Sequence, residues 1–389
     1  MKGRPLKIVV AGFAIGFPMG GQLWMMMHYV LGLKQLGHEV LFLEDTSDWS
    51  YAYDPVRRSY DVDSSYGRRV LEDFFRRNGL EGQWVYNSAL ENRIYGRTRQ
   101  ELDRFCSEAD LWLSLSGTNP LRENYMRCRV KAVIDTDPVF TQLKIRDDEI
   151  TRDYFKAHDV CFTWGYNLPS LKTRVPLSGI DWKPTLPPIL LEKWAPVSPP
   201  GRSYNTIGFW DTKGRDIVLD GEVFSWRKRP KYERLIDLPG QLPGLPLEIA
   251  FMGIEDDGPR YADHGWILRD PVAVSADPYN YMDYIKNSRA EFTVAKDQNV
   301  KLKSGWFSDR SASYLAAGRP VVTEDTGFSA YLPVGEGIFP YETREEAIES
   351  IRTIERDPVH HSRAALHLAE EHFDARKVLT EILREVGLA

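Results

Sequence analysis

Residues 7–12 (KIVVAG) are rich in β-branched side chains and, after Lys7, continuously apolar without alternation, the pattern of a strand buried on both faces. A loop, FAIGFPMGG, follows. Leu23, Met26, Met27, Val30, Leu31, Leu33 and Leu36 then recur at helical spacing, with Gly37 placed to end the helix. Residues 38–43 (HEVLFL) return to a strand-like run. Strand, helix and strand in this order form a βαβ crossover, which implies parallel strands and an α/β sheet. The runs at 111–115, 130–134 and 160–163 extend the series.

Between residues 182 and 201 the pattern breaks. Pro184, Pro187, Pro188, Pro196, Pro199 and Pro200 exclude a helix or a central strand, so the segment reads as a linker. A second α/β series follows it. Strands are expected at 205–209, 247–252, 291–294 and 320–323, and helices at 231–235, 280–286, 310–317, 344–355 and 364–383. The expected division is therefore 1–181, a linker at 182–201, and 202–389, with two similar α/β domains enclosing a cleft.

Length supports two domains: 389 residues exceed one ordinary hydrophobic core. With 42% hydrophobic and 27% charged residues, the composition is that of a globular protein, and no run has the apolar length of a membrane span. A net charge of −6 offers no general footprint for nucleic acid. Cys106, Cys128 and Cys161 cannot all pair and form no CxxC or Cys/His spacing, which fits a reducing, cytoplasmic compartment. The opening residues imitate a signal peptide superficially, but Pro18 and the paired glycines interrupt the apolar run, so none is expected.

Candidate chemistry begins at Gly20-Gly21, between a strand end and a helix, where open amides and a positive helix end suit an anion; a tight turn explains the glycines equally well. The spacing is neither GxGxxG nor a Walker loop. The stretch GGQLWMMMHYVLGLKQLGHEV resembles the opening of the group-1 glycosyltransferases, also called family 4, where a double glycine precedes a helix ending in a GHEV-like strand. Ser178-Gly179-Ile180-Asp181 resembles that family's NGVD-like segment, and residues 316–322 (AAGRPVV) its AxGxPVI segment, in the same order. The resemblance implies a GT-B architecture. Two Rossmann-like domains would face a cleft, the first favouring the acceptor and the second holding a nucleotide sugar. The family's paired glutamates fall here on Gly305 and Ser313, and neither position is acidic.

Residues 303–311 (KSGWFSDRS) lead instead into a helix with Ser308 as the expected N-cap. Gly305 would allow close approach of a diphosphate, Arg310 would offer a planar fork, and Asp309 would accept from ribose hydroxyls. The bland alternative makes Asp309 a first-turn charge and Arg310 a solvated one. Lys296 and Lys228, the latter in the cluster SWRKR, are further phosphate contacts or ordinary surface lysines. His264, in a polar loop with Trp266, is placed to cover the base.

Asp135-Thr136-Asp137 closes the run 130–134, and a DxD holds metal diphosphate in the other major glycosyltransferase architecture. Its place in the first half argues for an acceptor-facing base, or for a turn before Pro138. His158 is a candidate base, whereas His28, beside an apolar stripe, reads as packed. No metal site and no cofactor beyond the donor are expected. The sequence thus predicts a metal-independent glycosyltransferase. Donor phosphates would lie between Gly20-Gly21 and residues 305–310, with Asp135, Asp137 or His158 near a small-molecule or glycan acceptor. An epimerase or phosphorylase on the same scaffold, or a non-catalytic nucleotide or glycan binder, are the alternatives.

Overall fold

In the computed structural model, which describes residues 4–46, 51–170, 173–212 and 214–389, the continuous apolar runs become the interior strands of two separate sheets. The first has eight strands in the order Trp182–Pro184, Val160–Thr163, Val130–Asp135, Leu111–Leu115, Lys7–Ala11, Glu39–Asp45, Trp84–Ser88 and Arg93–Tyr95. All neighbours are parallel except the last pair. The second has six parallel strands, Ile267–Leu268, Leu247–Met252, Tyr204–Phe209, Ala290–Thr293, Val321–Glu324 and Ile338–Tyr341. Ile8 to Ala11 and Leu41 to Leu43 are fully buried, as strands covered by helices on both faces must be.

The helix Gly20–Gln35 is buried on almost every side because three layers meet on it. Gly32 seats the final helix, Ala375–Glu385: a Cβ there would lie 2.5 Å from Leu379 Cδ1. The span 364–383, expected as one helix, is instead Pro358–Leu368, a π-turn at Ala369–Phe373, and Ala375–Glu385. The break lets the Phe373 carbonyl accept from the Ile189 amide at 2.7 Å, joining the chain's end to the proline-rich segment. That segment is not wholly a linker, since Trp182–Pro184 extends the first sheet as an edge strand, a position that tolerates proline.

Two hairpins reach across between the sheets in opposite directions. The first, Ala52–Asp54 with Ser59–Asp61, carries Arg58, which donates to both oxygens of Asp270 at 2.9 and 2.8 Å. The second, Ile217–Leu219 with Glu222–Phe224, leaves the second sheet and buries Ile217, Leu219 and Phe224 against Val139, Leu143 and Leu168. Trp24 Nε1 also donates to the Pro278 carbonyl at 2.7 Å, so helix Gly20–Gln35 packs on helix Pro278–Lys286. The three cysteines are free and buried, and among the described residues no helix is long and apolar enough to cross a membrane.

Candidate functional site

Parallel sheets present the carboxyl ends of their strands, and the helix N-termini that follow, on one edge. The two edges here enclose a cavity of about 470 Å³. Gly21, Gln22 and Asp137 line it from the first sheet's side, and Gly208, Lys228, Lys296, Ser308, Asp309 and Arg310 from the second.

At its inner end two cations meet over a glycine. A Cβ on Gly208 would lie 3.4 Å from Lys228 Nζ and 3.7 Å from Arg310 Nη1, so the missing side chain leaves room for a ligand beside both charges. Lys228 has no carboxylate within ion-pair distance among the described residues and stands 5.5 Å from the centroid of Phe251. Burial pushes its ammonium well below the usual lysine range, and the neighbouring Arg310 charge adds to the effect. An anion placed there would relieve both penalties.

Two helix ends point into the same space. Gly20–Gln35 begins after Met19, and no side chain caps its first turn, which leaves amide hydrogens open. Asp309–Ala316 is capped by Ser308, whose hydroxyl accepts from the Arg310 amide at 3.2 Å, as the sequence predicts. Burial raises the Asp309 carboxyl to about 6 against the pull of Arg310 and nearby amides.

The two sides touch at the cavity wall. Lys296 Nζ donates to Asp137 Oδ1 at 2.8 Å and lies 3.3 Å from the Trp226 ring centroid. Trp306 Nε1 donates to the Thr136 carbonyl at 3.2 Å. Burial lowers the Lys296 ammonium pKa while Asp137 raises it.

Several expected site residues fall elsewhere or act differently. Arg310 is not a free fork: Nε donates to Glu291 Oε1 at 2.6 Å, Nη1 to the Ile207 carbonyl at 2.8 Å and Nη2 to Thr293 Oγ1 at 3.1 Å. One hydrogen remains on each Nη nitrogen. Gly20 serves packing, since its Cβ would meet Tyr281 Cβ at 2.4 Å, whereas at Gly21 the nearest atom is the Tyr281 hydroxyl at 3.2 Å. Gly305, with φ +79°, lets the chain pass Asn167 of the first domain, where a Cβ would lie 2.7 Å from the Asn167 nitrogen. The close approach is to protein, not ligand.

Asp135 is buried and accepts from Gln142 Nε2 and Thr163 Oγ1, both at 2.8 Å, and from the Asp137 amide at 3.0 Å. It fastens the turn before Pro138, and because the strand ends at Asp135 its alternation stops there, so that Asp137 lines the cavity and Asp135 does not. His158 precedes strand Val160–Thr163, so it lies at the amino end of the sheet, opposite the cavity. Its Nδ1 bonds the Tyr154 carbonyl at 2.9 Å, and burial lowers its pKa to about 4. His264 is likewise at the amino end of Ile267–Leu268, bonded to the Arg260 carbonyl at 2.9 Å. Trp266 beside it is buried and donates to the Ile236 carbonyl at 2.8 Å.

The loop after the first strand already holds an anion. Its Ala14, Ile15 and Gly16 amides donate to the Glu44 carboxylate at 2.6, 2.6 and 2.8 Å. Burial nevertheless pushes Glu44 up to about 7. Gly208, Glu291, Tyr281 and Arg215 were missed as site residues. Gly208 alone had a local signal, a glycine at the carboxyl end of an expected strand.

No family model and no curated protein matches the chain. Solved structures do. An alpha-glucosyltransferase in complex with UDP superposes with a TM-score of 0.59 at 12% identity, covering 98% of this chain and 99% of that one. Sucrose-phosphate synthase from Thermosynechococcus elongatus gives 0.56 at 12%, covering 97% and 98%. Anabaena HepE in complex with UDP and glucose gives 0.57 at 11%, covering 99% and 100%. Similarity over nearly the full length of each chain, with two largely parallel sheets facing one cavity, gives this protein the GT-B fold.

Proposed function

We propose that the protein is a glycosyltransferase that moves a sugar from a nucleoside diphosphate sugar to an acceptor entering from the first domain. One observation carries the reading: Lys228, which has no ion-pair partner among the described residues, and the Arg310 guanidinium meet at Gly208, where a side chain is missing, in the cleft of a GT-B fold. Lys228 binds a phosphate oxygen, the two remaining Arg310 hydrogens bind another, and the open first turn beginning at Gly20-Gly21 faces the same group. These donors stabilise the diphosphate as it leaves, the step where negative charge develops. Asp309 accepts from a donor hydroxyl. Asp137, steadied by Lys296, orients the attacking hydroxyl of the acceptor from the opposite wall.

Uridine diphosphate is the first probe, because structural neighbours hold UDP. Calorimetry with UDP and with uridine tests the phosphate contacts. Lys228→Ala should weaken UDP by about tenfold or more, as loss of a charge-assisted contact does, and leave uridine unchanged. Equal loss for both ligands would remove Lys228 from the phosphate site. Incubating UDP-glucose with the protein alone and then with candidate acceptors separates transfer from epimerisation, which needs no acceptor.

A further inference from the structure

The cavity contains more positive charge than one diphosphate explains. Besides Lys228 and Arg310 at its inner end, Arg215 lines the cavity from the loop before hairpin strand Ile217–Leu219. Arg215 is exposed and has no carboxylate within ion-pair distance among the described residues. Its guanidinium carbon stands 5.5 Å from the centroid of Trp226, the same indole that Lys296 approaches to 3.3 Å. Two cations therefore share one aromatic ring, and Asp137 pairs with Lys296, leaving Arg215 without an ion-pair partner among the described residues. Arg215 depresses the Lys296 pKa, the mark of an unfavourable like-charge pair. Tyr60, on the opposite hairpin, lines the same cavity; burial raises its pKa, and the nearby Arg215 charge opposes the rise.

Arg215 and Lys296 carry two positive charges against the single negative charge of Asp137, which pairs with Lys296, and the surplus beside Arg215 favours an anion. The inner pair already serves the donor's diphosphate, and Arg215 lies at the exposed end, where an acceptor must enter. We propose that Arg215 and Lys296, on the Trp226 ring, form a second anion site that holds a phosphate or carboxylate group of the acceptor. This rests on the glycosyl-transfer reading and adds the substrate class: acceptors carry a negative charge beside the hydroxyl that attacks. Trp226 supplies an apolar face to the acceptor ring, as aromatic side chains do for sugars.

The test titrates UDP-loaded protein with inorganic phosphate, glucose 6-phosphate, glucuronate and glucose, which differ in charge at one end. A charged sugar should bind about tenfold or more tightly than glucose, and the better of the two names the group. Arg215→Ala should reduce that preference to about twofold or less while leaving the affinity for UDP and the melting temperature unchanged. Equal binding of all three sugars would overturn the proposal. So would an Arg215→Ala variant that loses UDP affinity, since Arg215 would then belong to the donor. Failure of the wild-type chain to bind UDP at all would instead overturn the glycosyl-transfer reading beneath it.

Discussion

Arg310 and Glu291 form an ion pair beneath the cavity, with Arg310 Nε 2.6 Å from a carboxylate whose side chain is fully buried. Glu291 lies on strand Ala290–Thr293 and Arg310 in the first turn of helix Asp309–Ala316, so the pair ties the helix that carries Ser308 and Asp309 to the centre of the second sheet. The charge that lines the cavity is thus held in place by a buried partner.

Arg310→Ala should consequently unfold more easily as well as bind UDP poorly. Removing one partner of a buried pair leaves the other charge uncompensated, a loss of about 3–5 kcal/mol. Urea denaturation measures it. The double variant Arg310→Met, Glu291→Leu should recover most of the stability but none of the UDP affinity, and an unaltered midpoint in Arg310→Ala would show that the pair carries no stability.

Gly20→Ala and Gly21→Ala should part company. The first places a methyl group 2.4 Å from Tyr281 Cβ and should cost about 1–3 kcal/mol through overpacking between the two helices. The second meets the far end of the Tyr281 side chain, its hydroxyl at 3.2 Å and ring carbons at 3.3 and 3.4 Å, which a small shift relieves, so the fold should persist while UDP affinity falls. Melting temperature and UDP titration on both variants check the contrast.

Arg58→Ala should speed UDP release. The Arg58–Asp270 bridge crosses the cleft, and Asp270 also caps the short helix Pro271–Ser275, which lines the cavity. With both side chains about half exposed, solvent screening limits the effect to about 1 kcal/mol, or roughly fivefold in the off-rate. Stopped-flow release should show the same acceleration in wild type at high salt.

Stability should fall as pH drops below the ordinary histidine range, partly through His28. Burial lowers its pKa to about 3, and the Leu190 amide and Trp194 indole N–H each lie 3.2 Å from a ring nitrogen. As the pH falls below about 6.5 the unfolded chain takes up a proton that the folded chain refuses, so this contribution is complete above that pH. It is lost toward about 3, at up to about 1.4 kcal/mol per pH unit. Glu44 and Asp309, raised to about 7 and 6, act in the opposite sense. The difference in slope between wild type and His28→Gln isolates the histidine.

EDTA should leave transfer intact. Asp135 is buried with its oxygens accepting from Gln142, Thr163 and the Asp137 amide, and Asp137 is held by Lys296, so the two carboxylates of the DxD cannot converge on one ion. Activity lost in EDTA and restored by Mg²⁺ or Mn²⁺ would contradict that assignment.

The parallel α/β layering was legible in the sequence, because strands covered on both faces, such as Lys7–Ala11 and Leu111–Leu115, carry near-continuous apolar runs instead of alternation. The sequence also showed the Ser308 cap, a contact between residues two apart. Edge strands such as Arg93–Tyr95 and Trp182–Pro184 escaped it, since short, part-exposed strands carry no such run. What the polar residues do was set by long-range packing. Gly20 meets Tyr281, Lys296 meets Asp137 and Arg310 meets Glu291 through packing between elements remote in the chain. His158, equally promising as a residue type, lies at the wrong end of its strand. Local pattern records burial and backbone preference; which charges become neighbours depends on how whole layers stack.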